Sequence, residues 1–472
     1  MNSNAVKAIL PASLLLMCGL CSCTQEKTMA KSEGIVTTSR MLNPIAPPGM
    51  YIADPEARVM PDGRLYVYGS RDESPENWCS RSYNVLSTSD MVHWEADQCS
   101  FATDGPGKQT DYTDRILYAP DCIYHNGKYY LYYCLAGELA DDEGVAVGDS
   151  PYGPFRDGRV IKGALGIDPS VFIDDDGQGY LFWGQGSAKG AKLSKDMLSL
   201  DGEIHDRIVT YKEHAFNEGS SVRKRNGIYY FIYPGHQRHG QSNCATLNYA
   251  TSDSVFGPYT YRGVIIDNLK SGNAVENNHG SIVEFNGRWY IFYHRPTHAS
   301  STMRKACVEP IHFNEDGTIQ EVEMTTQGVG GPIDPRIRMD AARACEMEGN
   351  VRVVVRRPDN DIPVEYLAEI RDGDYACWRY FDFNAATVRR FICKTWDKSL
   401  AGIVEIRLDA PDGELIGTCD VKPMAGETAY AIHETDVRPI TGKHALFLVF
   451  RGKHAEDTGK SLMNLEWFRF GE

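Results

Sequence analysis

Three acidic residues of this sequence occupy similar positions, each in a polar turn upstream of an aromatic segment. Asp54 stands in an Ala-Asp-Pro turn, Asp168 in Ile-Asp-Pro and Glu218 in Asn-Glu-Gly. Asp-Pro is a common turn element, so it is the equivalent placement that favours a function. Close like charges raise the pKa of at least one carboxyl group, which leaves an acid beside an ionised base. Cleavage of a glycosidic bond needs that pair, so these three acids are our candidate catalytic residues.

A repeated hairpin must position these acids. Five times the sequence has a short apolar strand, a polar turn and a Tyr-rich strand, with turn glycines at residues 63, 127, 177, 227 and 287. Asn-Gly and Asp-Gly pairs accept positive φ in tight turns, so they are strong hairpin signals. Hairpins repeated every 50 to 64 residues are typical of propeller blades. We therefore predict a five-bladed β-propeller catalytic domain over residues 46–325.

Two more residues take the corresponding place in the other units. The second unit has Asp121 in Ala-Pro-Asp, and the fifth has His279 in Asn-Asn-His-Gly. In a propeller, equivalent positions surround the central channel. We predict that Asp121 and His279 lie near the three acids and contact the substrate.

The aromatic hairpin repeat stops near residue 325, and Gly328–Pro335 is a linker by composition. We place the linker at residues 326–340. Residues 341–472 carry alternating strands such as Ile403–Leu408, and no helical period competes with them. The expected fold is therefore all-β, a propeller followed by a β-sandwich.

The N-terminus is typical of a targeting segment. Lys7 precedes an apolar run that is too short to span a membrane as a mature helix, and the run ends in Leu-Cys-Ser-Cys23. This ending resembles a bacterial lipobox, which predicts a lipoprotein signal peptide over residues 1–23 and lipidation of Cys23; an ordinary secretory peptide cut nearby is the alternative. The polar residues 24–45 predict a flexible tether. We expect an exported protein, an outer-membrane lipoprotein or a periplasmic one, that meets the membrane only through Cys23.

Composition limits the partners. The net charge of -15 argues against nucleic acid, which needs stripes of Lys and Arg. Three of the 13 Cys belong to the targeting segment, and the remaining ten include no CxxC pair, so zinc is not expected. Export would permit disulfides, and Cys79 with Cys99 is the candidate pair.

The acid-bearing segments resemble glycoside hydrolase family 43 over about residues 46–325. The resemblance rests on the order of Ala53–Pro55, Tyr118–Asp121, Ile167–Phe172, Asn217–Ser220, His279–Ser281 and Tyr293–Pro296. Ser220 departs from it, since many members have Pro there.

This resemblance implies an inverting mechanism. It makes Asp54 the general base that activates water and Glu218 the general acid that protonates the leaving oxygen. Asp168 would tune the pKa of the acid and orient it. His279 matches an axial histidine that in some members lies by a central calcium, so it is also a candidate metal residue for a structural calcium on the propeller axis. Arg304 matches a sugar-contacting arginine.

Residues 341–472 resemble a family 6 carbohydrate-binding module. The matching segments include Arg371–Tyr375, Glu405–Asp409 and Asn464–Phe468. Such modules bind sugars through loop aromatics, which makes Trp378 and Tyr430 the candidates here.

Together these features predict an exo-acting glycosidase that removes pentose side chains from plant-type polysaccharides or oligosaccharides. An α-L-arabinofuranosidase is the first expectation. A β-xylosidase, a β-galactofuranosidase or a galactan-active enzyme is the alternative. A non-catalytic glycan-binding propeller is the alternative of another class, and the presence of both Asp54 and Glu218 argues against it.

Overall fold

The computed structural model describes residues 35–38, 42–105, 107–137, 141–239, 243–272, 277–357, 362–385, 387–396, 400–423, 430–457 and 459–472. The fold is all-β, with 55% of the residues in strands and 3% in helices. Among the described helices, none is long and apolar enough to cross a membrane. The predicted signal peptide and Cys23 lie outside the described residues.

The described strands up to residue 311 form five antiparallel sheets that follow one another along the chain. The first sheet contains β1 (Ile35–Thr38), β2 (Ala53–Val59), β3 (Leu65–Ser70), β4 (Ser82–Thr88) and β5 (His93–Ala102), in the order β1-β5-β4-β3-β2. The second contains β6 (Leu117–His125), β7 (Lys128–Leu135), β8 (Asp142–Gly148) and β9 (Phe155–Leu165). The third contains β10 (Ser170–Ile173), β11 (Gly179–Trp183), β12 (Lys189–Leu193) and β13 (Leu200–His205).

The fourth sheet contains β14 (Ser221–Arg225), β15 (Ile228–Gly235), β16 (Thr246–Ser252) and β17 (Thr260–Asp267). The fifth contains β18 (Gly280–Phe285), β19 (Arg288–Pro296) and β20 (Arg304–Ile311). The second to fifth sheets keep the order of the chain, because each strand pairs with the one before it. One helical turn, α1 (Tyr211–His214), lies between the third and fourth sheets.

The hairpin turns have the geometry that the sequence predicts. In the turn between β6 and β7, Asn126 has φ 47° and Gly127 has φ 85°. Positive φ at both central residues defines a type I′ turn, whose twist matches that of the two strands. Asn226 and Asn286 repeat this geometry in the fourth and fifth sheets, at φ 51° each.

The strand that begins the hairpin of each sheet, which is β2 in the first sheet, contacts the corresponding strand of the next sheet. Contacts run from β2 to β6, β6 to β10, β10 to β14 and β14 to β18, and β18 returns to β2. These five strands, one from each repeat unit, therefore contact one another in a ring.

A buried network of charges joins four of these first strands. Arg58 on β2 donates to Asp121 on β6 and to the carbonyl of Val171 on β10. Arg223 on β14 donates to Glu56 and to the carbonyl of Ala57, both on β2. Because these groups are buried and paired, the network fastens neighbouring sheets together.

The C-terminal region has two further sheets within the described residues. Their strands are β21 (Met339–Asp340), β22 (Glu346–Glu348), β23 (Arg352–Arg356), β24 (Val364–Ile370), β25 (Tyr375–Asp382), β26 (Arg390–Trp396), β27 (Gly402–Leu408), β28 (Glu414–Val421), β29 (Tyr430–Asp436), β30 (Lys443–Gly452) and β31 (Met463–Gly471). One sheet has the order β23-β24-β31-β26-β29, with β21 also paired to β31. The other has the order β22-β25-β30-β27-β28. Apolar residues from both sheets form one core. Short 3₁₀ helices cover 269–271, 341–343 and 455–457.

Two expectations need correction, one about the flexible tether and one about a disulfide. Asn43 falls in the predicted flexible tether, yet it is fully buried, and its side chain binds the carbonyls of Val308 and Thr325. These contacts leave residues 42–45 no freedom to act as a tether. Cys79 and Cys99 are both free thiols, so the candidate disulfide is not formed. The reason is that each sulfur instead accepts a hydrogen bond from an arginine.

Candidate active site

Five of the predicted site residues line one cavity of about 470 Å³. They are Asp54, Asp168, Glu218, His279 and Arg304. The structure thus brings together side chains from four different sheets and from the turns before them. A cavity of this volume, open at one side, lies in the range of small-ligand sites.

The local backbone aims two of the acids into the cavity. Asp54 is the second residue of β2, and Asp168 lies two residues before β10. Their φ angles are 52° and 64°, in the left-handed region that side chains other than Asn and Asp rarely adopt. Such strain persists only where the surrounding contacts hold it, and it concentrates at functional sites.

Arg304 holds Asp54 from one side. Its Nη1 lies 2.8 Å from Asp54 Oδ1, while Nε and Nη2 each lie 2.9 Å from an oxygen of Asp72. Asp72 also accepts from the backbone N–H of Arg304 and of Cys79, at 2.9 and 3.1 Å. The guanidinium is therefore fixed between two buried carboxylates, one of which faces the cavity.

His294 fixes the backbone of Asp54. The Asp54 N–H donates to His294 Nδ1 at 3.1 Å, so the ring proton resides on Nε2, which donates to Asn277 Oδ1 at 2.9 Å. Burial and the nearby charge of Arg304 hold the pKa of His294 well below its usual value. A neutral histidine in this tautomer accepts the hydrogen bond from the backbone N–H of Asp54.

His279 sits between two of the acids. Its Nδ1 is 3.6 Å from Asp54 Oδ1 and 3.8 Å from Asp168 Oδ2. Burial alone would lower the pKa of His279, but the hydrogen bond with Asp54 and the charges of Asp168 and Glu218 outweigh it and raise the pKa to about 9. His279 is therefore a cation at neutral pH.

The environments separate the three acids into two kinds. Burial works to raise the pKa of Asp54, but Arg304 and His279 overcome it and hold that pKa below its usual range. Burial raises the pKa of Asp168 well above its usual value, and the charges of Glu218 and Asp54 add to the effect. Burial likewise raises the pKa of Glu218, although a hydrogen bond from Gln185 opposes it. The cavity thus holds an ionised carboxylate opposite carboxyl groups that retain a proton more readily.

Asp121, predicted to contact the substrate, does not line this cavity. It is fully buried, and it pairs with Arg58 and accepts the backbone N–H of Val171 at 2.7 Å. The prediction is wrong because Asp121 stands six residues before its turn glycine, whereas the three acids of the cavity stand nine before theirs. Tyr118 occupies the ninth position of that unit, and it lines the cavity.

The two aromatic residues predicted to bind sugars in the C-terminal region differ. Trp378 has no exposed surface and packs against Phe468 in the core between the two sheets. It cannot stack on a glycan, so that prediction is wrong. Tyr430 is 62% exposed at the start of β29, with the Lys394 ammonium over its ring. Its ring is therefore available at the surface.

The described residues show no metal site at His279, where the resemblance in the sequence implies a structural calcium. Calcium takes six to eight oxygen ligands. Among the described residues, no group of three or more His, Cys, Asp or Glu side chains could hold a metal ion. His279 Nδ1 faces two carboxylates, and the edge of the ring that carries Nε2 lies beside Gly219, where a β-carbon would meet it at 3.0 Å.

Sequence reasoning missed four residues at this site. Asp72 and His294 fix Arg304 and Asp54, Gln185 binds Glu218, and the half-exposed Trp78 lines the cavity with its ring against Arg304. All four lie outside the turns that precede β2, β6, β10, β14 and β18, so the repeat did not mark them. His294 does fall in a quoted motif, but only its partners reveal its role.

This arrangement defines a class of protein. An all-β scaffold carries a cavity in which a carboxylate of lowered pKa faces carboxyl groups of raised pKa, as acid–base hydrolysis of a glycoside requires. The family model of glycosyl hydrolases family 43 matches residues 41–319, and that of the family 6 carbohydrate binding module matches residues 349–472. The chain belongs to glycosyl hydrolases family 43 and is a glycoside hydrolase, which confirms the resemblance seen in the sequence.

Relatives and solved structures agree with this assignment. A xylosidase/arabinosidase of Thermoclostridium stercorarium is 30% identical, over 87% of this chain and 96% of that protein. The crystal structure of a family 43 arabinoxylan arabinofuranohydrolase from Bacillus subtilis, in complex with cellotetraose, is 26% identical with a TM-score of 0.51, and the match covers 92% of this chain and 99% of that one. A β-xylosidase/α-arabinofuranosidase from a compost microbial metagenome, in complex with xylotriose and in a calcium-free form, is 31% identical with a TM-score of 0.53, over 61% of this chain and 99% of that one.

Proposed function

We propose that this protein is an inverting, exo-acting glycoside hydrolase that removes pentose side chains from plant-type polysaccharides, with α-L-arabinofuranosides as its first substrates. One observation carries the proposal. Asp54, whose pKa is lowered, and Glu218, whose pKa is raised, line the same cavity. An inverting hydrolase needs one carboxylate that accepts a proton from water and one carboxyl group that donates a proton.

In the proposed reaction, water attacks the anomeric carbon while Asp54 accepts a proton from it. The bond between the anomeric carbon and the glycosidic oxygen breaks, its electron pair stays on that oxygen, and the proton of Glu218 moves to it. Asp168 and His279 line the same cavity, and their charges tune those of the two catalytic carboxyl groups. Arg304 keeps Asp54 ionised and aimed, because it holds Asp54 Oδ1 at 2.8 Å.

The fold that supports this reaction is, in our proposal, a five-bladed propeller over residues 46–325, followed by a linker and a sandwich over residues 341–472. The ring of contacts among β2, β6, β10, β14 and β18 supports the blade count. The segment before residue 341 packs closely, since Ile333 pairs with Phe381. Tyr430 is the candidate sugar contact of the sandwich, because its ring is exposed.

The substrate class draws on the names of the relatives. The relative from Thermoclostridium stercorarium is named a xylosidase/arabinosidase, and the metagenomic enzyme a β-xylosidase/α-arabinofuranosidase. A β-xylosidase is therefore the second candidate function. No step of this proposal uses calcium. Export and lipidation at Cys23 remain part of the proposal, and incorporation of a labelled fatty acid that a Cys23→Ser variant loses would support them.

The test is sugar release from three 4-nitrophenyl glycosides: α-L-arabinofuranoside, β-D-xyloside and β-D-galactofuranoside. We expect release from the first glycoside. On arabinoxylan, whose leaving oxygen needs a proton, we expect a loss of at least about a hundredfold in kcat in Glu218→Gln and in Asp54→Asn, since general acid–base catalysis contributes about 10²–10⁴-fold. Glu213→Gln is the matched control, because Glu213 is exposed on α1 and does not line the cavity.

Two results would count against the proposal. Glu218→Gln with wild-type kcat would show that another group is the acid. Wild-type protein that releases no sugar from these glycosides or from whole arabinoxylan, yet is retained on arabinoxylan, would favour a glycan-binding protein instead.

A further inference from the structure

Gln185 makes a direct contact with the carboxyl group of Glu218. It follows β11 by two residues, and its Nε2 donates to Glu218 Oε2 at 2.8 Å. Both side chains line the cavity, and Gln185 is exposed at its edge. No motif in the sequence marks Gln185, because it belongs to the end of the hairpin of the third sheet and not to the turn that precedes β10.

The backbone fixes this contact. Gln185 and Glu218 form an isolated antiparallel bridge, and the N–H of Gly186 donates to the carbonyl of Asn217 at 2.5 Å. The N–H of Tyr211 in turn donates to the carbonyl of Gly186 at 3.0 Å. The backbone segments that follow β11 and precede β14 are therefore joined at these two residues, which places the Gln185 amide within reach of Glu218.

An amide N–H directed at Oε2 decides where the proton of Glu218 can reside. A protonated Oε2 would place its own hydrogen against the hydrogens of the amide. The contact therefore favours the neutral acid with its proton on Oε1, because the carbonyl-type Oε2 is then the better acceptor for the amide.

We propose that Gln185 is a positioning residue for the general acid: it keeps the transferable proton on Glu218 Oε1 and stabilises the carboxylate that remains once that proton has moved to the leaving oxygen. This inference rests on the proposed function of Glu218. In the step concerned, the Oε1–H bond breaks and a bond between this hydrogen and the glycosidic oxygen forms. The glycosidic oxygen keeps the electron pair of the broken bond to carbon. The negative charge left on Glu218 spreads to Oε2, where the amide of Gln185 already donates.

The hydrogen bond gains strength as the reaction proceeds. Before proton transfer its acceptor is a neutral carboxyl group, and afterwards it is a carboxylate, for which hydrogen bonds are roughly twice as strong. Interactions that are stronger in the transition state than in the ground state raise kcat, whereas equal ones only lower KM. Gln185 should therefore contribute to kcat and have little effect on KM.

The charged groups around Glu218 set the direction of the pH effect. His279 and Arg304 favour its ionised form, and Asp54 and Asp168 oppose it. Gln185 adds a neutral donor that lowers the pKa of Glu218 against the effect of burial. Removal of this donor raises the pKa of Glu218, so the basic limb of the pH–rate profile should move to higher pH.

The experiment compares wild-type protein with Gln185→Met and Gln185→Asn on two arabinofuranosides that differ in their leaving groups. The 2,4-dinitrophenyl leaving group needs no proton, and an alkyl leaving group does. We expect kcat for the alkyl arabinofuranoside to fall about tenfold in both variants, the loss expected when a hydrogen bond to a charged group is removed. We expect kcat for the dinitrophenyl compound and both KM values to change less than about twofold, because this substrate does not use the interaction.

Gln320→Met is the matched control. Gln320 is also exposed, its Nε2 donates to Asn314 Oδ1 at 2.7 Å, and it does not line the cavity. Its kinetics should equal those of the wild type on both substrates. Thermal unfolding of each variant checks that the fold is retained, and Gln185→Asn keeps the polar amide in case Gln185→Met does not fold.

The possible results separate the two proposals. Equal losses on both leaving groups, or no loss on the alkyl glycoside, would overturn the role of Gln185 while leaving Glu218 as the acid. A basic limb that stays in place in both variants would also overturn it. Wild-type protein without activity on either substrate would refute the proposed function itself.

Discussion

Asp121→Asn is the substitution that best separates a structural acid from a catalytic one. Asp121 is fully buried, and its carboxylate accepts from Arg58 Nε at 3.0 Å, from Arg58 Nη2 and from the N–H of Val171 at 2.7 Å. The asparagine keeps the volume but removes the charge. Arg58 then retains one carboxylate neighbour, Glu56, at 3.3 Å.

The magnitude follows from these contacts. Removal of one partner of a buried ion pair costs about 3–5 kcal/mol, and we take about 3 kcal/mol because Glu56 and the asparagine carbonyl remain as acceptors for Arg58. Each kcal/mol shifts Tm by about 2 °C in a protein of this size, so Tm should fall by about 6 °C. At a temperature well below Tm, kcat/KM should change less than about threefold, because Asp121 does not touch the cavity.

Differential scanning calorimetry and sugar-release kinetics on the same preparation check this prediction. Asp111→Asn is the control, since Asp111 is exposed and its substitution should leave Tm and kcat/KM unchanged. A variant with an unchanged Tm and a kcat/KM reduced tenfold or more would refute the reasoning. It would mean that Asp121 meets the substrate, as its position in the repeat first suggested.

Three further predictions concern charge, packing and geometry. The pKa of His279 is raised from 6.5 to about 9, so the stability that its protonation contributes is complete below pH 6.5 and is lost as the pH rises through 9. In urea titrations, His279→Gln should remove this decline in the free energy of unfolding, which is roughly 3 kcal/mol. Trp378→Ala should lower the free energy of unfolding by about 3–5 kcal/mol and leave retention in arabinoxylan affinity gels unchanged, whereas lost retention at unchanged stability would restore its predicted sugar contact. Arg304→Lys should lower kcat at least about tenfold in steady-state assays, because an ammonium cannot reproduce the fork between Asp54 and Asp72; an unchanged kcat would contradict this.

The repeat made much of this site predictable. Asp54, Asp168 and Glu218 each stand nine residues before the glycine of a hairpin turn, and this equivalent position in the repeat places all three at one cavity. Tyr118 follows the same rule and was overlooked, because it is not an acid. The Asn-Gly turns were predictable for a related reason, since positive φ at two successive residues admits few sequences.

The supporting residues were beyond the reach of this pattern. Asp72 and Gln185 lie after the hairpins, and each acts on an acid that is distant in the chain: Gln185 on Glu218, and Asp72 through Arg304 on Asp54. A side chain's partner across sheets depends on how the sheets pack, and no local periodicity encodes that.

The sequence by itself determined the type of strand, the tight turns, the repeat and the presence of three acids at equivalent positions, because each depends on the conformational preferences of a few adjacent residues. Only the tertiary structure decided which buried carboxyl groups face the cavity and which face an arginine. It also decided the charge of each one. Asp54 and Asp121 are chemically identical side chains, and their different roles come from burial and from neighbours on other sheets. Arg304 holds Asp54 at the cavity, whereas Arg58 pairs with Asp121 and links two strands.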